Sequence, residues 1–151
     1  MKIDEILENI GTSTKLNKYL NSLDDYDDPC FILVKTDIKI DSVLKTIKST
    51  VDSEETYSSD LINLSDNLLF ISVDCEYKNV TNLVSNIDSN LNIEGAKSNI
   101  AAFRHNCLGK PKSTFSWCCL LLEEVCVNKE QYLINDFKDR GNWPGISKYV
   151  E

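Results

Sequence analysis

The chain contains little glycine, proline or histidine, and it has no long apolar segment. Its 151 residues include five glycines, three prolines and one histidine. This composition excludes collagen-like chains and flexible linkers, which are rich in glycine or proline. The longest apolar stretch, Trp117–Leu122, is far shorter than the ~20 residues that a transmembrane helix needs. Asp4, Glu5 and Glu8 interrupt the apolar core that a secretory signal requires. We therefore predict a cytoplasmic protein without a membrane partner.

The sequence also lacks the short motifs that mark common catalytic and cofactor sites. It contains neither a phosphate-binding glycine loop nor the Gly-x-Ser-x-Gly turn of serine hydrolases. No two cysteines are spaced as Cys-x-x-Cys, an arrangement typical of zinc sites. We accordingly predict no metal, no cofactor and no catalytic residue, and a protein that is not an enzyme.

The six cysteines are predicted to be reduced and structural. They are Cys30, Cys75, Cys107, Cys118, Cys119 and Cys126. Most lie in apolar runs, where a thiol behaves as a small buried hydrophobic group. Disulfides are typical of small secreted domains, and this sequence carries no visible secretory signal.

The chain has enough apolar residues to build one globular domain. Hydrophobic residues make up 42% of the sequence, which is too high a share for a disordered chain. A domain of this length buries about two-thirds of its unfolded surface, so it needs no metal or disulfide to hold a core. We predict a single globular domain over residues 1–151.

The charge of the chain is acidic and unevenly distributed. There are 24 acidic and 16 basic residues, which give a net charge of −8. Residues 24–76 hold 13 acidic and four basic side chains, a net charge of −9, whereas the two flanking segments are close to neutral. Nucleic acids and anionic membranes both attract cationic surfaces, so we predict neither as a partner.

Two acidic clusters lie within this segment, and each is accompanied by a tyrosine. The predicted partner-binding residues are Asp24, Asp25, Tyr26, Asp27 and Asp28 in the first cluster, and Glu54, Glu55, Tyr57 and Asp60 in the second. Acidic surfaces speed and orient association with cationic proteins, and tyrosines are common interface anchors. The alternative is a pair of solvated loops that keep the protein dissolved. The first cluster lacks the ligand spacing and central glycine of a calcium loop, so no metal site is predicted there.

Hydrophobic periodicity predicts the helices and strands. Helices are predicted over 2–10, 12–23, 41–51 and 80–91 and again after Asn128, with a polar loop over 52–60 and a turn at Gly95. Strands are predicted over 30–34, 68–73, 99–107 and 114–127, the last two as an antiparallel hairpin.

This pattern favours an α/β or α+β fold, with a mixed sheet of about four strands, helices packed on it and the order α-β-α-β-α-β-β-α. The strands at 30–34 and 68–73 are apolar on both faces, which indicates helices on both sides of the sheet. Two strand-helix-strand units favour partly parallel pairing. A three-layer α/β/α arrangement and an α+β sandwich both agree with the pattern.

The charge distribution leads to one functional hypothesis and two alternatives. The hypothesis is a small acidic inhibitor or immunity protein that neutralises a basic protein partner, such as a nuclease toxin, by blocking its active site. The first alternative is a small enzyme that uses His105 with a cysteine or a carboxylate. The second is a self-associating structural subunit whose contact includes Trp143 and Tyr149. The oligomeric state does not follow from the sequence.

Overall fold

A computed structural model describes residues 14–23, 29–53, 58–74, 77–104, 111–128 and 132–135. The helices in these ranges are α1 (Thr14–Ser22), α2 (Ile40–Ser53), α3 (Tyr77–Ile93) and α4 (Pro111–Val127). The strands are β1 (Cys30–Thr36), β2 (Ser58–Ser65), β3 (Leu68–Asp74), β4 (Ser98–Arg104) and β5 (Tyr132–Asn135). Their order along the chain is α1-β1-α2-β2-β3-α3-β4-α4-β5.

The strands form one mixed sheet with the order β2-β3-β1-β4-β5. The first four strands pair antiparallel, and β5 is added parallel to β4. From β1 to β4 the chain follows the β-α-β-β-α-β pattern of two interleaved units, which is a ferredoxin-like arrangement. The predicted fold class, a mixed sheet with helices packed on it, is therefore confirmed, as is the element order in outline.

Helices cover both faces of the sheet, so the domain has three layers. Along β1, Cys30, Ile32 and Val34 are buried in the core that α2 and α3 cover. Phe31 and Leu33 are buried in a second core, formed with α1 and α4. Alternate residues of a strand point to opposite faces, so an uninterrupted apolar strand requires this double covering. The prediction of helices on both faces is confirmed.

Helix α4 occupies residues that the sequence pattern assigned to a strand, so the hairpin predicted over 99–107 and 114–127 is wrong. Its buried side chains include Phe115, Cys118, Cys119 and Leu122, which recur at helical spacing. Leu121 is buried as well, which makes the run apolar almost throughout. A continuous apolar run does not by itself distinguish a buried helix from a buried strand.

Three other local predictions differ from the structure. Residues 132–135, predicted to be helical, form strand β5. Of the predicted loop over 52–60, residues 52–53 belong to α2 and residues 58–60 to β2. β2 reverses the chain direction before β3, so β3 pairs with β1 antiparallel and not parallel. The helices predicted over 12–23, 41–51 and 80–91 and the turn at Gly95 are confirmed, and the helix predicted over 2–10 lies outside the described residues.

Candidate functional site

One of the nine predicted partner-binding residues lies within the described part of the chain. Asp60 is on β2 and its side chain is exposed. The other eight lie outside the described residues: Asp24, Asp25, Tyr26, Asp27, Asp28, Glu54, Glu55 and Tyr57. His105, Trp143 and Tyr149, on which the two alternatives depend, also lie outside them.

Both acidic clusters directly precede strands that begin at the same end of the sheet. In the strand register, Cys30 at the start of β1 lies opposite Val73, and Ser58 at the start of β2 lies opposite Asp74. Residues 24–28 lead into β1 through Pro29, and residues 54–57 lead into β2. We call this end of the sheet, at Cys30, Ser58 and Asp74, the acidic end.

Strand β4, which lies beside β1 in the sheet, borders the acidic end on one side. β4 ends at Arg104, which lies opposite Cys30 in the register. The chain then continues towards Lys110 and Lys112. Along the sequence, acidic residues therefore precede β1 and β2, and basic residues follow β4.

The acidic residues of the described segments divide between the two ends of the sheet. Asp52 and Asp74 lie near the acidic end and are exposed. Asp37 lies at the other end, where its Oδ1 atom accepts a hydrogen bond of 2.8 Å from the backbone N–H of Lys97. Asp66 occupies the turn between β2 and β3, also at that end. The described acidic residues of this third of the chain are thus not one continuous patch: Asp52, Asp60 and Asp74 lie towards the acidic end, and Asp37 and Asp66 lie at the other.

A groove of about 290 Å³, here called the outer groove, lies between α2 and β2 beside Asp60. It is lined by Leu44, Lys48 and Asp52 of α2 and by Ser59, Asp60, Leu61 and Asn63 of β2. Residues four apart share one face of a helix, and residues two apart share one face of a strand. Leu44, Lys48 and Asp52 therefore face Ser59, Leu61 and Asn63 across the groove, whereas the side chain of Asp60, opposite Ser72 in the register, lies on the other face of the sheet.

The outer groove has an apolar floor and a charged rim. Leu44 and Leu61 are partly buried and pack against the core beneath α2. Lys48, Asp52 and Asp60 are exposed. Apolar contact is therefore available at the floor, and the carboxylate of Asp52 and the ammonium group of Lys48 are available at the rim.

The far end of the outer groove is held by hydrogen bonds from two asparagines. Asn63 donates from Nδ2 to Oδ1 of Asp41 over 3.4 Å. In the turn after β2, Asn67 donates from Nδ2 to the carbonyl oxygens of Thr36 and Ile38, at 3.0 and 2.9 Å. These contacts connect β2 to the start of α2, so both walls of the groove are fixed to the same turn.

A second groove, of about 430 Å³, lies on the other side of α2, facing α3. Thr50 donates from Oγ1 to the carbonyl oxygen of Thr46 and accepts from Nδ2 of Asn90, both at 2.8 Å. Thr46 donates from Oγ1 to Oε1 of Glu94 over 2.6 Å. Because these polar groups bond to one another across the two helices, we assign this groove a structural role.

Burial raises the pKa values of the three thiols of α4. Cys118 lies between α4 and the sheet, 3.7 Å from the carbonyl oxygens of Phe31 and Ala101. Burial raises the pKa of the Cys118 thiol well above its ordinary value, and the adjacent Cys119 raises it further. Burial likewise raises the pKa values of Cys119 and, on a half-buried site, Cys126. The thiolate is the nucleophilic form, so these cysteines are poor nucleophiles near neutral pH.

The buried thiols predict that the protein loses stability in alkaline solution. In the unfolded chain a cysteine ionises with a pKa near ~8.5, whereas Cys118 and Cys119 stay protonated in the fold. The folded pKa is the higher one, so their contribution is complete below ~8.5 and declines as the pH rises above it. We expect the free energy of unfolding to fall by about 1 kcal/mol for each of these thiols between pH 8.5 and 9.5.

Urea unfolding under reducing conditions at pH 7.5, 8.5 and 9.5 measures this decline. The Cys118→Ala variant is the control, because it removes one of the two buried thiols. Its free energy of unfolding should fall less steeply with pH than that of the wild type. Equal slopes for the two proteins would contradict the assignment.

Neither a metal cluster nor a membrane span is found in the described ranges. No group of three or more histidine, cysteine, aspartate or glutamate side chains there is arranged to hold a metal ion. Of the helices described, none combines the length and the apolar composition of a bilayer-spanning segment.

The outer groove was not anticipated from the sequence because β2 was assigned in part to a loop. β2 is half polar, and Asn63 alternates with residues such as Ile62. A period of two is present only over residues 62–65, and Asp66 and Asn67 between two candidate strands are residues that favour a tight hairpin turn. These two signals together predict the β2-β3 hairpin and, with it, the outer groove.

Comparison of the chain with protein families, with curated proteins and with solved structures found no match in any of the three.

Proposed function

We propose that the protein is a small acidic binding protein of the cytoplasm that neutralises a basic protein partner. In the concrete form proposed here it is an inhibitor or immunity protein, and its partner is a nuclease toxin whose active site it covers. The observation that carries the proposal is that both acidic clusters, residues 24–28 and 52–60, adjoin strands that begin at the same end of one sheet.

The physical argument concerns charge complementarity. A nuclease binds a polyanion, so its active site is cationic, and a surface rich in carboxylates competes for that site. Complementary charge also raises the rate of association by about 10- to 1,000-fold at low ionic strength. Thirteen acidic residues against four basic ones in residues 24–76 supply the required sign and density of charge.

Tyrosines supply buried apolar contact area, which charge alone does not. Tyr26 lies inside the first cluster and Tyr57 beside the second. Tyrosine is enriched among the residues that dominate binding energy at protein interfaces, because it buries a large rigid ring and retains one polar group. The proposed binding surface thus combines two aromatic anchors with carboxylates that steer the partner.

The described thiols support binding over catalysis. Cys118 and Cys119 are buried and protonated, which removes them as nucleophiles. The proposal requires no catalytic residue, since occlusion of the partner's site is sufficient to inhibit it.

Paired affinity capture tests the proposal. One column carries the wild type, and a second carries the variant Asp24→Asn, Asp25→Asn, Asp27→Asn and Asp28→Asn. At an ionic strength of about 10 mM, where the Debye length is about 30 Å, the wild type should retain a basic protein from the source cells. The purified partner should show nuclease activity that an equimolar amount of the wild type abolishes. Affinity for the variant should be at least ~10-fold weaker.

A third column controls for net charge. It carries Asp88→Asn, Glu94→Gln, Glu123→Gln and Glu124→Gln, which remove the same number of charges outside residues 24–76, in the C-terminal halves of α3 and α4 or directly after α3, away from the acidic end. This variant should bind the partner within about threefold of the wild type, since the charges near the interface contribute most. Equal retention on the first two columns, or no basic protein on the wild-type column, would contradict the proposal.

A further inference from the structure

We infer that the outer edge of β2 accepts an extended cationic segment of the partner as an added β-strand beside α2. The inference rests on the proposed function and specifies how the basic partner is held. It starts from the position of β2, which in the described part of the sheet has β3 as its only neighbour. A strand at an edge presents N–H and C=O groups, on alternate residues, to a further strand.

The sequence of β2 leaves this edge open to pairing. Natural proteins block such edges with proline, with lysine, with bulges or with very short strands. β2 spans eight residues, contains neither proline nor lysine, and carries Asp60 as its only charged residue. Its register with β3 shifts between Asn63 and Ser65. The regular part, Ser58–Asn63, extends over roughly 20 Å at about 3.3 Å per residue, enough to pair with a six-residue segment.

The outer groove provides room for the side chains of an added strand. A strand paired with β2 directs alternate side chains towards α2, where Leu44 and Leu61 form the apolar floor. Other complexes formed by strand addition gain affinity from main-chain hydrogen bonds and specificity from pockets for alternate side chains. Here the edge strand β2 supplies the main-chain groups, and the outer groove beside α2 supplies the space for side chains.

The charge at the groove selects a cationic occupant. Asp52 lies on the rim, Asp60 lies on β2 with its side chain on the opposite face of the sheet, and the surrounding segment, residues 24–76, has a net charge of −9. Pairing with a second copy of the chain would bring the same edge against itself, because a two-fold interface joins identical patches. Such a pair would bring together the carboxylates of two chains that each carry a net charge of −8. Like charges across paired strands are destabilising.

Lys48 influences which side chains of the added strand are favoured at the groove. Its ammonium group lies on the same helix face as Leu44 and Asp52, between them in sequence. Side chains of the added strand that face α2 are therefore favoured to be apolar, over Leu44 and Leu61, and the alternate side chains, on the face that carries Asp60, are favoured to be basic. We expect an alternating basic and apolar segment to bind better than a uniformly basic one.

Selective N-methylation of a peptide tests for strand addition. The probe is an acetylated and amidated octapeptide of alternating lysine and valine. In an extended chain all lysine N–H groups point to one side and all valine N–H groups to the other. One isomer is N-methylated at every lysine and the second at every valine. If the peptide pairs with β2, one isomer should bind the full-length protein at least ~10-fold more weakly than the unmodified peptide, and the other within about threefold.

A lysine placed on the edge provides an independent test. Ser59→Lys puts a positive charge at the groove and should weaken binding of the unmodified peptide at least ~10-fold. Ser89→Lys, on the exposed surface of α3, makes the same chemical change elsewhere and should leave affinity within about threefold. Light scattering of the protein alone should show a monomer at low salt, since a dimer through this edge would indicate self-pairing.

The outcomes separate the inference from the proposed function. Equal effects of the two methylation patterns, equal effects of Ser59→Lys and Ser89→Lys, or no peptide binding at about 10 mM ionic strength would each overturn strand addition. The proposed function would remain in place if capture of the basic partner still depended on Asp24–Asp28. Loss of that dependence overturns the proposed function instead.

Discussion

Replacement of Phe70 by alanine is expected to lower the free energy of unfolding by about 3–5 kcal/mol. Phe70 lies on β3 and is fully buried. Its ring centroid is 5.2 Å from that of Phe31, 5.3 Å from that of Phe115 and 6.0 Å from that of Tyr19. These partners belong to β1, α4 and α1, so Phe70 connects the sheet to both helices of one face. Its truncation leaves a cavity that three separate elements border.

Urea unfolding measures this loss, and two variants calibrate it. Phe70→Leu keeps much of the apolar volume and should cost less than Phe70→Ala. Ile93→Ala truncates a side chain that is 82% exposed, so it should change stability by no more than about 0.5 kcal/mol. A loss of less than about 1 kcal/mol for Phe70→Ala would contradict the packing described for this face.

Reversal of charge at Asp52, on the rim of the outer groove, and at Asp60, on the edge strand β2, should reduce affinity for the basic partner by about 100-fold. The double variant Asp52→Lys and Asp60→Lys replaces two attractive contacts with two repulsive ones, and like charges brought together at an interface cost several kcal/mol. Most of the effect at low salt should appear in the association rate, and it should diminish as the ionic strength rises.

Titration of the purified partner with each protein measures this change. The control is Glu94→Lys and Glu124→Lys, which alters the net charge equally but lies outside residues 24–76, near the C-terminal ends of α3 and α4 and away from the acidic end. It should reduce affinity less than about tenfold, through long-range repulsion alone. Equal losses for the two double variants would show that the partner responds to the net charge of the chain and not to Asp52 and Asp60.

Strands that are apolar on both faces were predictable, and weakly apolar ones were not. β1 and β3 read as buried strands because nearly every residue from Phe31 to Val34 and from Leu68 to Val73 is apolar. β2 lies at the edge and faces solvent, so serine and asparagine dilute its pattern. Because β2 was missing from the sequence prediction, β3 was predicted to pair parallel with β1, whereas the two strands pair antiparallel.

The apolar run in α4 was predicted wrongly for the opposite reason, because its residues are too uniformly apolar. Its side chains pack against the sheet and also beside the neighbouring helix α1, so burial extends around much of the helix. Periodicity disappears when most sides of a helix are buried. Its 17-residue length was the informative signal, since strands rarely exceed about ten residues.

The acidic clusters were predicted from the sequence. That the two strands following them begin at the same end of the sheet was not. Counting charges located residues 24–28 and 52–60 without any structural information. That both adjoin one end of the sheet depends on β1 and β2 pointing in the same direction, with β3 antiparallel between them. β1 and β2 point in the same direction because the hairpin turn at Asp66 and Asn67 reverses the chain between β2 and β3. The sequence prediction did not include this hairpin.

Hydrogen exchange of the complex with the captured partner tests the central claim most directly, because it locates the recognised surface without any substitution. If the acidic end is the binding surface, amides of residues 24–28 and 54–57 and of β2 should exchange at least ~10-fold more slowly in the complex than in the isolated protein. Amides on the exposed side of α3 should be unchanged. Slowing confined to α3 or α4, with residues 24–28 and 54–57 unaffected, would contradict recognition through the acidic end.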